Sequence, residues 1–259
     1  MGEVKAMPGP DLTGRVVLVT GGSRGIGRAI AAAMARHGAT VVIASRKLGA
    51  CEQAAAEIHQ ETGAPTQART FHVGRWDECT ALAQGVLADH GRCDVLVNNA
   101  GMSPLYDDLA GITEEYYDKV MAVNLKGAFR LGALLGRHMA TGDGGSIINI
   151  STIGSLRAGS DELVYAMAKA GMNALTVGLA EAYAPRVRVN AILPGAVASD
   201  IAQSWSPEYV AELESAIPVG RLGRPEDMAT AAVWLASDGA SFVNGELLRI
   251  DGGQYRQTS

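Results

Sequence analysis

A tyrosine and a lysine stand four positions apart in the stretch YAMAK, at Tyr165 and Lys169. The surrounding segment is rich in alanine and has helical spacing, so the two side chains are predicted to share one face of a helix. A phenol ionises near pH ~10 in water, and a nearby ammonium group favours its deprotonated form. The pair could therefore give a proton to a carbonyl oxygen. Such pairs are common on helices, yet among the lysines only Lys169 has a tyrosine four residues before it.

A glycine-rich stretch, TGGSRGIG, follows the first apolar run and begins at Thr20. Glycines at these positions let the backbone turn tightly and bring amide groups to phosphate oxygens at the start of a helix. The usual GxGxxG spacing fails, because Ile30 stands where its last glycine would be. One interpretation is a dinucleotide phosphate site, and the other is a plain structural turn. The residues predicted to bind the dinucleotide here are Gly21, Ser23, Arg24, Gly25, Ile26 and Gly27.

The end of the second apolar run bears on the choice of coenzyme. When the ribose carries a free 2′-hydroxyl group, an acidic residue is expected there, about 20 residues after the glycine-rich stretch. Ser45 takes that place, and Arg46 and Lys47 follow it. A guanidinium group pairs well with a phosphate, so Arg46, together with Arg24, favours NADP(H) over NAD(H). The alternative is that Arg46 and Lys47 merely begin a solvated helix.

Short β-branched runs alternate with longer alanine-rich segments along the chain. The predicted strands lie at 15–20, 40–44, 93–98, 146–150, 187–192 and 247–250, with a weaker candidate at 66–73. The predicted helices lie at 26–37, 49–60, 78–90, 114–139, 163–183 and 225–236. Apolar strands separated by helices predict a doubly wound α/β fold, with a parallel sheet of about seven strands between two helical layers. We expect a single domain over residues 1–259, of which 1–10 are loose.

Ligands of a doubly wound sheet bind beyond the carboxyl ends of its strands. The residues at these ends are therefore candidates for the functional site. They are Gly21, Ser45, Val73, Asn98, Ser151 and Pro194.

Composition narrows the classes of function. The chain has 259 residues and a formal net charge of −5, and its cations are scattered, which argues against nucleic-acid binding. No apolar run approaches the ~20 residues of a membrane span, and the N-terminus has no signal region, so we expect neither a membrane partner nor secretion. Three cysteines without CxxC spacing favour a reducing cytoplasm over disulfides. The five histidines show no metal-binding pattern, so no metal is expected.

The chain as a whole resembles the short-chain dehydrogenase/reductase family, which has a Rossmann-like fold. Besides the glycine-rich stretch and YAMAK, the resemblance is carried by NNAG from Asn98, VMAVNLKG around Asn124 and VRVNAILPG from Val187. GRLGRPEDMA and the C-terminal IDGG complete it. Each motif is weak alone, but their shared order over nearly the whole chain is specific. The resemblance implies interconversion of a ketone and a secondary alcohol by hydride transfer, with Tyr165 and Lys169 also touching the coenzyme.

The resemblance implies a hydroxyl group about thirteen residues before the tyrosine, to hold the substrate oxygen. Counting back gives Thr152, where the family usually has serine, and Ser151 stands next to it. We favour Thr152 and keep Ser151 as the alternative, because neighbouring strand residues point to opposite faces. Asn124 resembles the residue that holds a water linking the lysine to solvent. Its plainer interpretation is a helix-interior asparagine bonded to the backbone.

The resemblance also extends to further coenzyme contacts. The predicted contacts are Asn98, Ala100 and Gly101 near the adenine ribose, and Pro194, Gly195, Val197 and Ser199 near the nicotinamide amide. His72 and Val73 stand where the family commonly has Asp-Val. The adenine amine would then be bound by a neutral ring nitrogen of His72, or by the backbone near Val73.

The substrate itself is a small carbonyl compound or alcohol that the sequence does not name. The chain resembles 3-oxoacyl thioester reductases, and sugar, polyol and cyclic-alcohol dehydrogenases are the alternatives. The predicted pocket segments are 102–108, 153–164 and 202–217, and the stretch around 204–217 is expected to act as a lid. Acidic groups in 153–164 disfavour an anionic substrate, whereas Arg157 would favour one. Family members usually form homotetramers, and the rival from another class is a dinucleotide-sensing regulator on the same fold.

Overall fold

A computed structural model describes residues 9–198 and 206–255. Its sheet has seven parallel strands in the order β3-β2-β1-β4-β5-β6-β7. They are β1 (Val16–Thr20), β2 (Thr40–Ser45), β3 (Thr66–Thr70), β4 (Val95–Asn98), β5 (Gly145–Ile150), β6 (Val187–Pro194) and β7 (Leu247–Ile250). The strand order reverses between β1 and β4, so the binding crevice lies beyond the carboxyl ends of these two strands. The predicted doubly wound parallel fold is confirmed.

Helices cover both faces of the sheet. They are α1 (Gly25–Arg36), α2 (Leu48–Thr62), α3 (Trp76–His90), α4 (Glu114–Met121), α5 (Gly127–Thr141), α6 (Leu163–Ala182), α7 (Pro207–Ala216) and α8 (Pro225–Ala236). Val17 and Val19 of β1 pack on the side of α1, α2 and α8, whereas Leu18 packs on the side of α3 and α5. Because both faces of the central strands are buried, β1 and β2 are continuous apolar runs rather than alternating ones, whereas β3 at the edge is mostly polar.

The long helix predicted over 114–139 is interrupted. α4 and α5 are separated by one π-helical turn, Ala122–Lys126, in which Gly127 N–H bonds the carbonyl oxygen of Ala122. Asn124 lies within the turn, and its amide bonds the backbone of Met102. The wider turn therefore accompanies a contact with a distant loop, and such turns are frequent at functional sites.

Two other segments differ from the sequence prediction. β3 ends at Thr70 rather than at residue 73, because the chain turns where Arg75 N–H bonds the carbonyl oxygen of His72. α7 occupies much of the stretch that we expected to form a lid.

By length and composition alone, one described helix, α6, could cross a membrane. Half of its most apolar window is buried inside the protein, as in a core helix.

Candidate active site

The glycine-rich loop after β1 is held by the segment after β4. The amide nitrogen of Asn99 donates hydrogen bonds to the carbonyl oxygens of Thr20 and Gly21, at 3.0 and 3.1 Å. The hydroxyl oxygen of Thr20 accepts from the backbone N–H groups of Asn99 and Ala100. A Cβ at Gly27 would collide with the Gly21 carbonyl oxygen and the Asn99 amide. The turn thus needs glycine, and its shape depends on a partner from β4.

The first turn of α1 is open to an anion. Gly21 and Gly25 have φ values of 65° and 54°, which favour glycine. The residue before the helix, Arg24, makes no side-chain capping bond. The first backbone N–H groups of α1 therefore receive no hydrogen bond from a capping side chain. A glycine cradle at such a helix N-terminus fits the phosphates of a dinucleotide.

The end of β2 lies beside this cradle. The hydroxyl oxygens of Ser23 and Ser45 are 3.2 Å apart, and Ser45 also lies 3.0 Å from the Cys51 sulfur. Arg46 and Lys47 are exposed at the same edge. No carboxylate stands at the end of β2, and two cations do, so the edge is suited to a negatively charged group.

Asn98 belongs to a buried network below the crevice. Its amide donates to Asn149 on β5, whose amide in turn donates to the Thr176 hydroxyl on α6, each at 2.9 Å. The Asn98 side-chain oxygen is buried and lacks a hydrogen-bond partner among the described residues. The side chain thus links β4 to β5, beneath the predicted coenzyme contacts Ala100 and Gly101.

Lys169 lies buried at the carboxyl end of β5. Its side chain is 2% exposed, and Nζ donates to the carbonyl oxygen of Ile150 at 2.7 Å. A Cβ at Gly101 would lie 3.6 Å from Nζ and 2.9 Å from the Asn124 side-chain oxygen, so these three residues meet. Burial lowers the pKa of Lys169 to about 8.

Tyr165 adjoins Lys169 as the helical spacing predicts. Nζ of Lys169 lies 5.7 Å from the centre of the phenol ring. Burial raises the pKa of Tyr165, and the neighbouring carboxylate of Glu162 acts in the same direction. The expected lowering by Lys169 is therefore absent, because burial outweighs an ammonium group that is itself bonded to a carbonyl. The phenol stays protonated at neutral pH, and its hydroxyl group has no hydrogen-bond partner within residues 9–198 and 206–255.

Ser151 and Thr152 have different surroundings. Ser151 is 3% exposed, and its hydroxyl group lies 2.7 Å from the Asn173 side-chain oxygen and 3.2 Å from the Lys169 carbonyl oxygen. Thr152 is half-buried, and its hydroxyl oxygen accepts from Gly154 N–H at 3.2 Å. The Ser151 hydroxyl is thus occupied within the protein, whereas the Thr152 hydroxyl retains its proton for a ligand.

The Asn124 amide is engaged with the backbone. Both of its N–H groups have partners, the carbonyl oxygens of Met102 and Val120, and its oxygen accepts from Met102 N–H. Only one lone pair of that oxygen is left for the predicted water.

Comparison with known proteins decides the family. A family model described as enoyl-(acyl carrier protein) reductase matches residues 21–254. The chain belongs to the short-chain dehydrogenase/reductase family. The members of this family are oxidoreductases of alcohol and ketone groups that use NAD(P)(H).

Relatives of this dehydrogenase/reductase differ in their named substrates. The 3-oxoacyl-[acyl-carrier-protein] reductase of Chlamydia trachomatis is 37% identical over 244 residues, which cover 93% of this chain and 98% of that protein. The NAD-dependent glycerol dehydrogenase of Listeria innocua is 33% identical over 245 residues, covering 94% of each chain. A solved short-chain type dehydrogenase/reductase of Mycobacterium ulcerans superimposes with a TM-score of 0.89 at 30% identity, covering 94% of this chain and 90% of that one.

The predicted adenine contacts, His72 and Val73, follow the third strand of this short-chain dehydrogenase/reductase. His72 Nδ1 accepts a hydrogen bond from Gly74 N–H at 3.1 Å, so the neutral ring carries its proton on Nε2. The adenine amine was predicted to bind either a ring nitrogen of His72 or the backbone near Val73. The acceptor nitrogen of His72 is already engaged by Gly74 N–H. The second predicted acceptor is the backbone near Val73, whose carbonyl oxygen accepts a hydrogen bond from the Cys79 thiol.

The loop after β6 is tied to the C-terminal part of the chain. Val197 is buried and pairs with Gly223, while Ala196 N–H donates to the Gln254 side chain. A Cβ at Gly195 would lie 2.6 Å from the Gln254 side-chain oxygen, so this position also needs glycine. Pro194 ends β6, and the predicted residue Ser199 lies outside the described residues.

Sequence reasoning missed two residues that organise this short-chain dehydrogenase/reductase. Asn99, which holds the glycine-rich loop, follows a strand-ending Asn98, and a doubled asparagine at such a place was the available signal. Tyr106 donates to the Ser160 carbonyl oxygen at 2.6 Å and accepts from Leu163 N–H, joining two predicted pocket segments. No local sequence pattern predicted that contact, because its partners lie more than fifty residues away.

Proposed function

We propose that the protein interconverts a ketone and a secondary alcohol with NADP(H), and that Tyr165 is its proton donor and acceptor. The observation that carries this proposal is the phenol of Tyr165, which has no hydrogen-bond partner in the described part of the chain and lies next to buried Lys169. When bound, the coenzyme supplies or accepts the hydride at the substrate carbon.

The side chains divide the remaining work. Tyr165, protonated at neutral pH, donates its proton to the carbonyl oxygen as that oxygen gains negative charge. Thr152 holds the same oxygen with its hydroxyl group. Lys169, whose pKa burial lowers to about 8, stabilises the phenolate that is left and returns a proton to it. Asn124 holds the loop at Met102 that borders these groups.

The preference for NADP(H) rests on the edge beside β2. Ser45 replaces an acid that would repel a 2′-phosphate, and Arg46 stands exposed next to it. The relatives include an NAD-dependent enzyme, so this preference is a property of these residues rather than of the family.

The substrate class is open between two candidates on the names of relatives alone. A 3-oxoacyl thioester is supported by the reductase of Chlamydia trachomatis, and a polyol by the dehydrogenase of Listeria innocua. The carboxylate of Glu162, which lies beside Thr152, favours a hydroxylated substrate.

The assembly that we propose is a homotetramer in a reducing, cytoplasmic environment. An apolar cavity of about 590 Å³ lies along α4, α5 and α6, lined by Met121, Leu125, Phe129 and Leu175 among others. Phe129 is 45% exposed and Phe242 is fully exposed, as at faces that pack against another chain. The three cysteines are free and buried. Light scattering should give four times the chain mass, and a monomer would contradict this assembly.

The deciding experiment follows NADPH and NADH oxidation with a panel containing an acetoacetyl thioester, small hydroxyketones, a keto sugar and a cyclic ketone. We expect turnover by the wild type and its loss in Tyr165→Phe, with coenzyme binding retained in that variant. Equal turnover by both proteins would refute the role of Tyr165. Binding of the dinucleotide without turnover of any ketone would favour a dinucleotide-sensing regulator.

A further inference from the structure

A carboxylate borders the proposed position of the substrate oxygen. Glu162 is the residue before α6, one helical turn ahead of Tyr165. A Cβ at Gly154 would lie 2.5 Å from a carboxylate oxygen of Glu162 and 3.5 Å from the Thr152 methyl carbon. The carboxylate and Thr152 therefore flank the same small space, and a side chain at 154 would displace the carboxylate from its present position.

The carboxylate of Glu162 lacks a protein partner. It is half-buried, yet it makes no hydrogen bond or ion pair within the described ranges 9–198 and 206–255. Burial raises its pKa, and Asp161 adds to the effect. Two other carboxylates that are at least half-buried have donors: Glu78 accepts from His72 N–H and from Arg75, and Asp94 accepts from Arg92.

The half-buried carboxylate of Glu162 is only partly hydrated, so a ligand that brings a hydrogen-bond donor can stabilise it. A partly desolvated charge without a hydrogen-bond donor weakens stability, and departures of this kind are expected where a ligand supplies what the chain does not. A ligand donor that reached this carboxylate would sit beside Thr152 and Tyr165. Glu162 makes no capping bond to the start of α6, so capping does not explain its presence.

We propose that Glu162 accepts a hydrogen bond from a substrate hydroxyl group on the carbon next to the reacting carbonyl, which makes α-hydroxyketones and vicinal diols the substrate class. This inference rests on the proposed function, because Tyr165 and Thr152 place the reacting oxygen. A neutral hydroxyl group donates to a carboxylate in a charge-assisted hydrogen bond. A 3-oxoacyl thioester has no donor at that carbon and would leave the carboxylate unpaired.

The test compares two ketones of similar shape, 2-hydroxycyclohexanone and 2-methylcyclohexanone. Reduction of the first by NADPH and a proton gives cyclohexane-1,2-diol and NADP⁺. The quantity measured is the ratio of kcat/KM for the hydroxylated ketone to that for the methylated one. It is determined for the wild type, Glu162→Gln and Glu162→Ala. Glu181→Gln is the matched control, because it makes the same charge change at an exposed position near the far end of α6.

We expect a wild-type ratio of about 10 to 100, the range that one charge-assisted hydrogen bond gives. The ratio should fall several-fold in Glu162→Gln, which keeps one acceptor oxygen, and approach one in Glu162→Ala. Glu181→Gln should keep the wild-type ratio. Isothermal titration of cyclohexane-1,2-diol into the coenzyme-loaded protein should show the same order of affinities. Thermal melting checks that each variant is folded.

Two results would overturn the inference while leaving the proposed function intact. One is Tyr165-dependent turnover with a wild-type ratio near one, and the other is a high ratio that survives in folded Glu162→Ala. Absence of turnover with every ketone would instead remove the proposed function, and the inference with it.

Discussion

The phenolic oxygen of Tyr106 accepts a hydrogen bond from the backbone N–H of Leu163 over 2.8 Å. Leu163 is the first residue of α6, and the residue before it makes no side-chain capping bond. Tyr106 thus caps the helix that carries Tyr165 and Lys169, from a loop more than fifty residues earlier in the chain. The ring also packs edge-on against Tyr116, whose hydroxyl group donates to Pro104 in the same loop.

Tyr106→Phe should destabilise the protein and slow catalysis. Loss of a helix cap costs about 1 kcal/mol, which lowers Tm by roughly 2–4 °C in a domain of this size. Because Tyr165 lies in the first turn of α6, kcat should fall as well. Calorimetry and steady-state kinetics measure both effects. Tyr117→Phe, at a tyrosine that is 38% exposed, is the control and should change neither. An unaltered Tm in Tyr106→Phe would refute the capping role.

Ser151→Ala and Thr152→Ala should have opposite profiles. Ser151→Ala leaves the buried Asn173 oxygen without its 2.7 Å partner, at a cost of about 1–3 kcal/mol in the free energy of unfolding. Thr152→Ala should change stability little but lower kcat about 100- to 1000-fold, the usual effect of losing a donor to a developing oxyanion. Urea denaturation and kinetics separate the two. A stable but inactive Ser151→Ala variant would reverse our preference.

Arg46→Ala should weaken the binding of NADPH far more than the binding of NADH. A guanidinium–phosphate bond contributes about 1.5–3 kcal/mol, so the Kd for NADPH should rise at least ~10-fold while that for NADH changes less than ~2-fold. Nicotinamide fluorescence titration gives both constants. Arg137→Ala removes the same charge from an exposed position on α5 and serves as control. Equal losses for the two coenzymes would contradict the NADP(H) preference.

Lys169 should make stability depend on pH. Burial lowers its pKa from 10.5 to about 8, so between these values the unfolded chain binds more protons than the folded one. Stability then rises with pH in this window. The free energy of unfolding of the wild type, minus that of Lys169→Met, should increase by about 1–2 kcal/mol from pH ~7.5 to ~9.5.

Urea denaturation at the two pH values measures this difference. Burial raises the pKa values of the Cys79 and Cys93 thiols to about 11 and about 12. Above the ordinary thiol pKa of 9.0, these two groups therefore make stability fall as the pH rises. Both proteins contain these thiols, so their contribution cancels in the comparison. Parallel pH profiles for the two proteins would mean that Lys169 titrates normally.

Local sequence patterns predicted the fold because the central strands, such as β1 and β4, are buried on both faces. The apolar run before the glycine-rich loop matches β1 to within one residue, and the bounds of α8 agree with the predicted 225–236. The pairing of Tyr165 with Lys169 followed from helical spacing in the same way.

Features that depend on distant partners were not predictable. The π-helical turn accompanies the bonds of Asn124 to Met102, and the choice between Ser151 and Thr152 depends on Asn173, 22 residues away from Ser151. The pKa of Tyr165 was predicted in the wrong direction, because spacing reveals the ammonium group but not how deeply the phenol is buried.

The hold of Asn99 on the glycine-rich loop has a consequence for biosynthesis. The bonds to Thr20 and Gly21 span 79 and 78 residues, and every strand pair of the sheet is parallel, so none can form as a hairpin. A nascent chain that has left the ribosome only as far as α3 contains the whole glycine-rich loop but not the residue that shapes it. During synthesis, the first three strands can therefore emerge before the glycine-rich loop has the hydrogen bonds that fix its shape.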